Sequence, residues 1–163
     1  MTRITGADIG HPDLRKQAQA IGDICGHWAC LEFYVELAMW WLLGLDYEDG
    51  ALMTERMDIE YKAKLLRRLA SKKLKGNDAV EIAEIMKEVA SLVPLRHLVV
   101  HGMWAIDYKA HVIAFTARRG EFKDKPITMN PKKLSEIMDR IRQAHLRLGD
   151  LLVRHDVMRY VAL

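Results

Sequence analysis

Residues 28–45 read Trp-Ala-Cys-Leu-Glu-Phe-Tyr-Val-Glu-Leu-Ala-Met-Trp-Trp-Leu-Leu-Gly-Leu, and the fold turns on what this stretch is. A membrane span needs about twenty predominantly apolar residues. Here Glu32 and Glu36 interrupt the run on one helical face, and a carboxylate at a bilayer centre is costly. A helix that is apolar nearly all round, in a chain that stays out of the membrane, must be covered on several sides. The stretch therefore predicts either the central helix of a bundle or a helix shared between a core and a subunit interface. Trp40 and Trp41 belong to that covered surface, although tryptophan rings can also stack on bases.

Upstream, Leu14, Ala18, Ile21, Cys25, Trp28, Leu31, Val35, Ala38 and Leu42 recur at helical spacing, which predicts one long helix over residues 13–43. Pro12 suits a first turn, and residues 1–11 read as a loose arm. Gly22 and Gly26 weaken a helix by about 1 kcal/mol each relative to alanine, so they suggest close packing or a bend. Gly44 ends the helix.

Downstream, residues 46–54 read as a polar connection around Asp49-Gly50. A second helix starts near Thr54 or Asp58, with Ile59, Ala63, Leu66, Leu69 and Ala70 on its apolar face. Lys62, Lys64, Arg67, Arg68, Lys72, Lys73 and Lys75 form its basic side. Gly76-Asn77 closes it, and Asn77 suits the N-cap of a third helix. That helix offers Val80, Ala83, Ile85, Met86, Val89 and Ala90 to a core, and Pro94 should bend or restart it. Residues 103–129 then change period. They are rich in aromatic and β-branched residues, with turns expected at Tyr108–His111, Gly120 and Asp124, and they predict a small antiparallel insertion. Asn130-Pro131 begins a last helix carrying Leu134, Ile137, Met138, Ile141, Ala144, His145, Leu148, Leu151 and Leu152. The expected fold is mainly α: a four-helix bundle-like single domain over residues 1–163, with a β insertion before the last helix.

Composition agrees. With 163 residues, half of them hydrophobic and 29% charged, the chain is long enough for a core and too apolar for disorder. A net charge of +3 permits an anionic partner without demanding one. Cys25 and Cys30, five apart on one helix, cannot readily bridge each other and read as buried reduced thiols, which suits the cytoplasm. No glycine-rich phosphate loop, zinc-finger spacing or nucleophile elbow occurs, so no cofactor and no metal are implied. His97 and His101 lie at a spacing that can hold a metal, but no third ligand is evident nearby.

One constellation remains: Pro94-Leu95-Arg96-His97-Leu98-Val99-Val100-His101-Gly102-Met103-Trp104. A continuous helix would set Arg96 and His101 about 140° apart. A helix ending near His101, broken by Gly102, would let both side chains reach one cleft. Histidine can take or give a proton near neutrality, and arginine fits phosphate oxygens bidentately.

These residues resemble the motif of the HEPN superfamily, helical domains marked by an arginine, four to six residues, then a histidine. The order of elements is similar too: a long first helix with an aromatic and acidic stretch (Trp28, Leu31, Glu32, Leu37), a basic helix, then the motif. The family often has asparagine or aspartate directly after the arginine; here it is His97. The resemblance implies Arg96 and His101 as catalytic residues of a metal-independent RNA endonuclease, with Glu32 and His97 in support. It also implies a homodimer, to which the apolar first helix points independently, with RNA as substrate and an antitoxin or regulatory protein as partner in a toxin or defence system. The alternative is a purely structural role. Arg96 would then pair with Glu32 as a buried ion pair, and His101 would cap helix-end carbonyls, in a non-catalytic helical interaction module.

Overall fold

The computed structural model describes residues 12–106, 112–115, 117–118, 121–122 and 127–157. The arm expected over residues 1–11 and the turns expected at Tyr108–His111, Gly120 and Asp124 lie outside them. The fold is mainly α. Among the described residues five helices, α1 (Pro12–Leu43), α2 (Tyr47–Thr54), α3 (Ile59–Lys73), α4 (Asn77–His101) and α5 (Pro131–Arg154), accompany five short strands placed between α4 and α5. Two compact units emerge. A mixed unit holds the described residues of 1–26 and 94–140; a helical unit holds those of 27–93 and 141–163.

The helical unit is a bundle whose neighbours are identified by named contacts. The α1 half joins α3 through Glu36 and Lys62, joins α5 through the ring contact of His27 with His145, and meets the residue just after α5 through Trp41 and His155. Helix α4 meets α5 through Glu84–Arg147 and Glu81–Arg154. Helices α3 and α4 flank a groove. Leu31, Met39, Leu66, Ile82, Ile85, Met86, Ile141 and Leu148 are fully buried, each contributing about 1.5–3 kcal/mol relative to exposure.

Helix ends follow local chemistry. Gly44 adopts φ +70°, and the amides of Gly44 and Leu45 close on the carbonyls of Trp41 and Trp40, which satisfies the last turn of α1. The Asp58 side chain accepts from the Tyr61 amide at 2.7 Å, which caps α3 at the start expected near Asp58. Asn130 accepts from the Lys133 amide at 2.8 Å, the N-cap expected there; Asn77, expected as an N-cap, is the first residue of α4.

Helix α2 replaces the expected polar connection. Asp46 caps it, accepting from the Asp49 amide. Gly50 lies under the Trp40 ring, where a Cβ would come within 2.5 Å, and the Trp40 indole donates to the Thr54 hydroxyl. Eight residues show too little periodicity to distinguish a helix from a loop; a tryptophan seated on a glycine holds it.

Several face assignments are corrected. Ala18 is exposed, and Gln17 is buried instead, its side-chain amide donating to the Met129 carbonyl at 3.2 Å. Val80 and Ala90 of α4 point outward, while Ile82 and Leu92 are buried. Lys62 is not part of the exposed basic face: it is buried, and its ammonium donates to the Glu36 carboxylate at 2.5 Å. Cys25 is half-buried and Cys30 exposed, both free, so the thiols are not buried as a pair. A Cβ at Gly22 or Gly26 would meet nothing within 4 Å, so neither marks close packing. Among the described residues no single helix is long and apolar enough to cross a membrane.

In the mixed unit, β1 (Met103–Ile106) pairs antiparallel with β2 (Val112–Phe115), and β2 pairs with β5 (Ile127–Thr128), in the order β1-β2-β5. Strands β3 (Ala117–Arg118) and β4 (Glu121–Phe122) form a separate two-stranded pair. The strands described between α4 and α5 thus stand where the change of period placed the insertion.

Candidate functional site

The last two turns of α4 carry the Arg96 and His101 side chains. Helix α4 runs through Pro94 without stopping. Proline lacks the amide that would bond to the Ala90 carbonyl, but both residues lie on the exposed side of the helix, where water can satisfy that carbonyl. The restart expected near Leu95 therefore does not occur.

The helix does stop at His101. The Gly102 amide donates to the Leu98 carbonyl at 2.9 Å, and a Cβ at position 102 would come within 2.1 Å of that same oxygen. Only glycine allows the chain to leave so tightly. The indole of Trp104, three residues on in β1, then donates to the Val99 carbonyl at 3.0 Å. Two of the carbonyls that a helix end leaves open are thus taken by Gly102 and Trp104.

At this terminus Nη1 of Arg96 lies 3.1 Å from Nε2 of His101. Five residues along an α-helix the two Cα atoms point well apart; the long arginine side chain closes the gap. A guanidinium has only N–H donors, so in this contact Arg96 donates and His101 Nε2 accepts. His101 is exposed and Arg96 half-buried. His97, also exposed, stands one turn earlier with its ring centroid 5.0 Å from that of His101. The three side chains singled out in the motif are therefore together on one helix end. Among the described residues no group of three histidine, cysteine or acidic side chains stands ready to hold a metal.

Glu32 is a half-buried residue of the helical unit, whereas Arg96, His97 and His101 belong to the mixed unit, and the Glu32–Arg96 pair stays an expectation. Within the helical unit Glu36, one turn further on, forms a part-buried ion pair with Lys62. The role of Trp104 at the helix end was not legible from spacing. Its signal, a tryptophan shortly after a helix-ending His-Gly, gains meaning only once β1 folds back beside α4.

A second histidine pair lies in the helical unit. His27 and His145 stack with centroids 5.1 Å apart, and Tyr34 meets His145 edge-on. Burial above all, then the neighbouring His27 and Arg142, hold the His145 imidazole below the usual histidine range. His145 appeared in the sequence only as one more position of the α5 apolar face.

No family model, curated protein or solved structure matches the chain.

Proposed function

We propose that the protein is a metal-independent RNA endonuclease of the HEPN kind, with Arg96 and His101 as its catalytic pair. The observation that carries this reading is the 3.1 Å contact between Arg96 Nη1 and His101 Nε2 at an exposed helix end. The contact has the composition a phosphoryl-transfer site needs: a permanent cation beside a proton-transfer group. It also weighs against the plainer role for His101. The carbonyls of Leu98 and Val99 are already met by Gly102 and Trp104, so His101 is not needed to cap them.

In the proposed reaction a phosphate oxygen takes over the Arg96 guanidinium, which frees the His101 Nε2 lone pair. The imidazole accepts the 2′-hydroxyl proton as the 2′-oxygen attacks phosphorus. The bond from phosphorus to the 5′-oxygen breaks, and a second acid protonates the leaving oxygen. The products are a 2′,3′-cyclic phosphate and a 5′-hydroxyl. Arg96 neutralises the charge that grows on the equatorial oxygens. One chain has one such histidine, and a homodimer joined near this helix end would supply the second. A toxin or defence role with a regulatory protein partner belongs to the same reading.

The test is cleavage of RNA by the wild type, His101→Ala and Arg96→Ala in EDTA, with circular dichroism and light scattering on each. Loss of cutting by at least 100-fold in both variants, at unchanged fold and mass, is the expected result. Well-folded wild type that cuts no RNA would leave the non-catalytic helical module in its place, and a monomeric mass at micromolar concentration would remove the shared site.

A further inference from the structure

The exposed side of α3 carries five cations, Lys64, Arg67, Arg68, Lys72 and Lys73, none with an acidic partner among the described residues. The contrast with α5 is sharp. Arg147 and Arg154 are each held by carboxylates of α4, Glu84 and Glu81, so one face of α4 is committed to α5. Toward α3 the same helix presents Ala79 and Ala83, which together with Lys64, Arg67, Arg68 and Ser71 line an open groove. Small residues on one wall and cations on the other leave room for a chain of anions. Tyr61 stands on the same side of α3, 55% exposed, and its ring has no partner among the described residues. At helical spacing Tyr61, Lys64, Arg68 and Lys72 form one stripe about 16 Å long.

We propose that this stripe and groove bind single-stranded nucleic acid, the cations following successive phosphates and Tyr61 stacking on an unpaired base. The pairing of an uncompensated basic groove with an exposed aromatic ring is what sequence-tolerant single-strand binding requires. A flat membrane surface would meet the exposed charges and the ring but would leave the groove beside Ala79 and Ala83 unfilled, whereas a single strand can lie in it. The site lies within the helical unit and does not depend on cleavage at Arg96 and His101.

The test is fluorescence anisotropy with a labelled 2′-O-methyl oligouridine, which cannot be cut, against the full chain over a range of salt. Binding should weaken with salt, with a log–log slope of about −0.7 for each phosphate contact. Lys64→Gln with Arg68→Gln should lower the slope by about 1.4, and Tyr61→Leu should weaken binding about tenfold with the slope unchanged. All three side chains are exposed, so circular dichroism should match wild type. No binding by wild type at low salt would overturn the proposal, as would an unchanged slope in the double variant. Unchanged affinity of Tyr61→Leu, or capture by phosphatidylserine vesicles without capture of the oligonucleotide, would also overturn it.

Discussion

Gly102 couples the candidate site to the backbone. It is not in the left-handed region; its requirement is space, because the Leu98 carbonyl occupies the position a Cβ would take. Alanine there must push apart α4 and β1 or break the Gly102–Leu98 hydrogen bond. Gly102→Ala should therefore cost about 2–4 kcal/mol, within the range for overpacking and lost backbone bonds, read as a lower urea midpoint. Because Trp104 and His101 flank the displaced residue, any nuclease activity should fall further than stability accounts for. A variant with wild-type midpoint would show that the helix end can relax without loss. Gly50 is a second glycine of this kind, held by the Trp40 ring, while Gly44 and Gly76 serve instead by their positive φ.

At the scale of elements, α1 carries an internal weakness with no packing reason among the described residues. Gly22 and Gly26 sit in mid-helix, exposed, with open space where a Cβ would go. Replacing either by alanine should stabilise the chain by about 0.5–1 kcal/mol, through helix propensity and a less mobile unfolded state. Thermal unfolding of Gly22→Ala, Gly26→Ala and the double variant checks this, with near-additive gains expected. A destabilising effect would mean that a partner approaches this helix in solution, as a dimer contact on α1 would require. Helix α2 makes the opposite point: its sequence is unremarkable as a helix, and it exists because Trp40 sits on Gly50 and bonds to Thr54.

For the whole molecule, the buried histidine sets a direction of pH dependence. The folded chain holds the His145 imidazole below its ordinary range, whereas the unfolded chain takes up a proton near pH 6.5. The unfolded state thus binds more protons over the interval between these two values. Stability contributed by neutral His145 is present above about pH 6.5 and is lost as pH falls through the lowered folded value. Urea midpoints should drop between pH 7.5 and pH 5, and His145→Leu should flatten part of that drop. An equal drop in the variant would assign the effect elsewhere.

How far the sequence could be read depended on the range of the interaction involved. The long helices were legible because their apolar residues repeat over many turns: Trp28, Leu31 and Val35 in α1, and Leu134, Ile141 and Leu148 in α5, are buried as their spacing requires. The helix start near Asp58, the cap at Asn130 and the stop at Gly44 were legible because a helix end is set within four residues. The motif residues Arg96, His97 and His101 share one helix end, so their grouping followed from local geometry. What the sequence could not determine was anything set by a distant neighbour. Lys62 turned inward because Glu36 was there to receive it; Val80 faces outward while Ile82 and Leu92 are buried; and Trp104 capped α4 only once β1 lay beside it. Local spacing determines which residues form a helix and where it ends, because those forces act within a turn or two. Only the tertiary structure decides which polar groups are buried and what they meet, because a buried charge or carbonyl is stable only beside a partner.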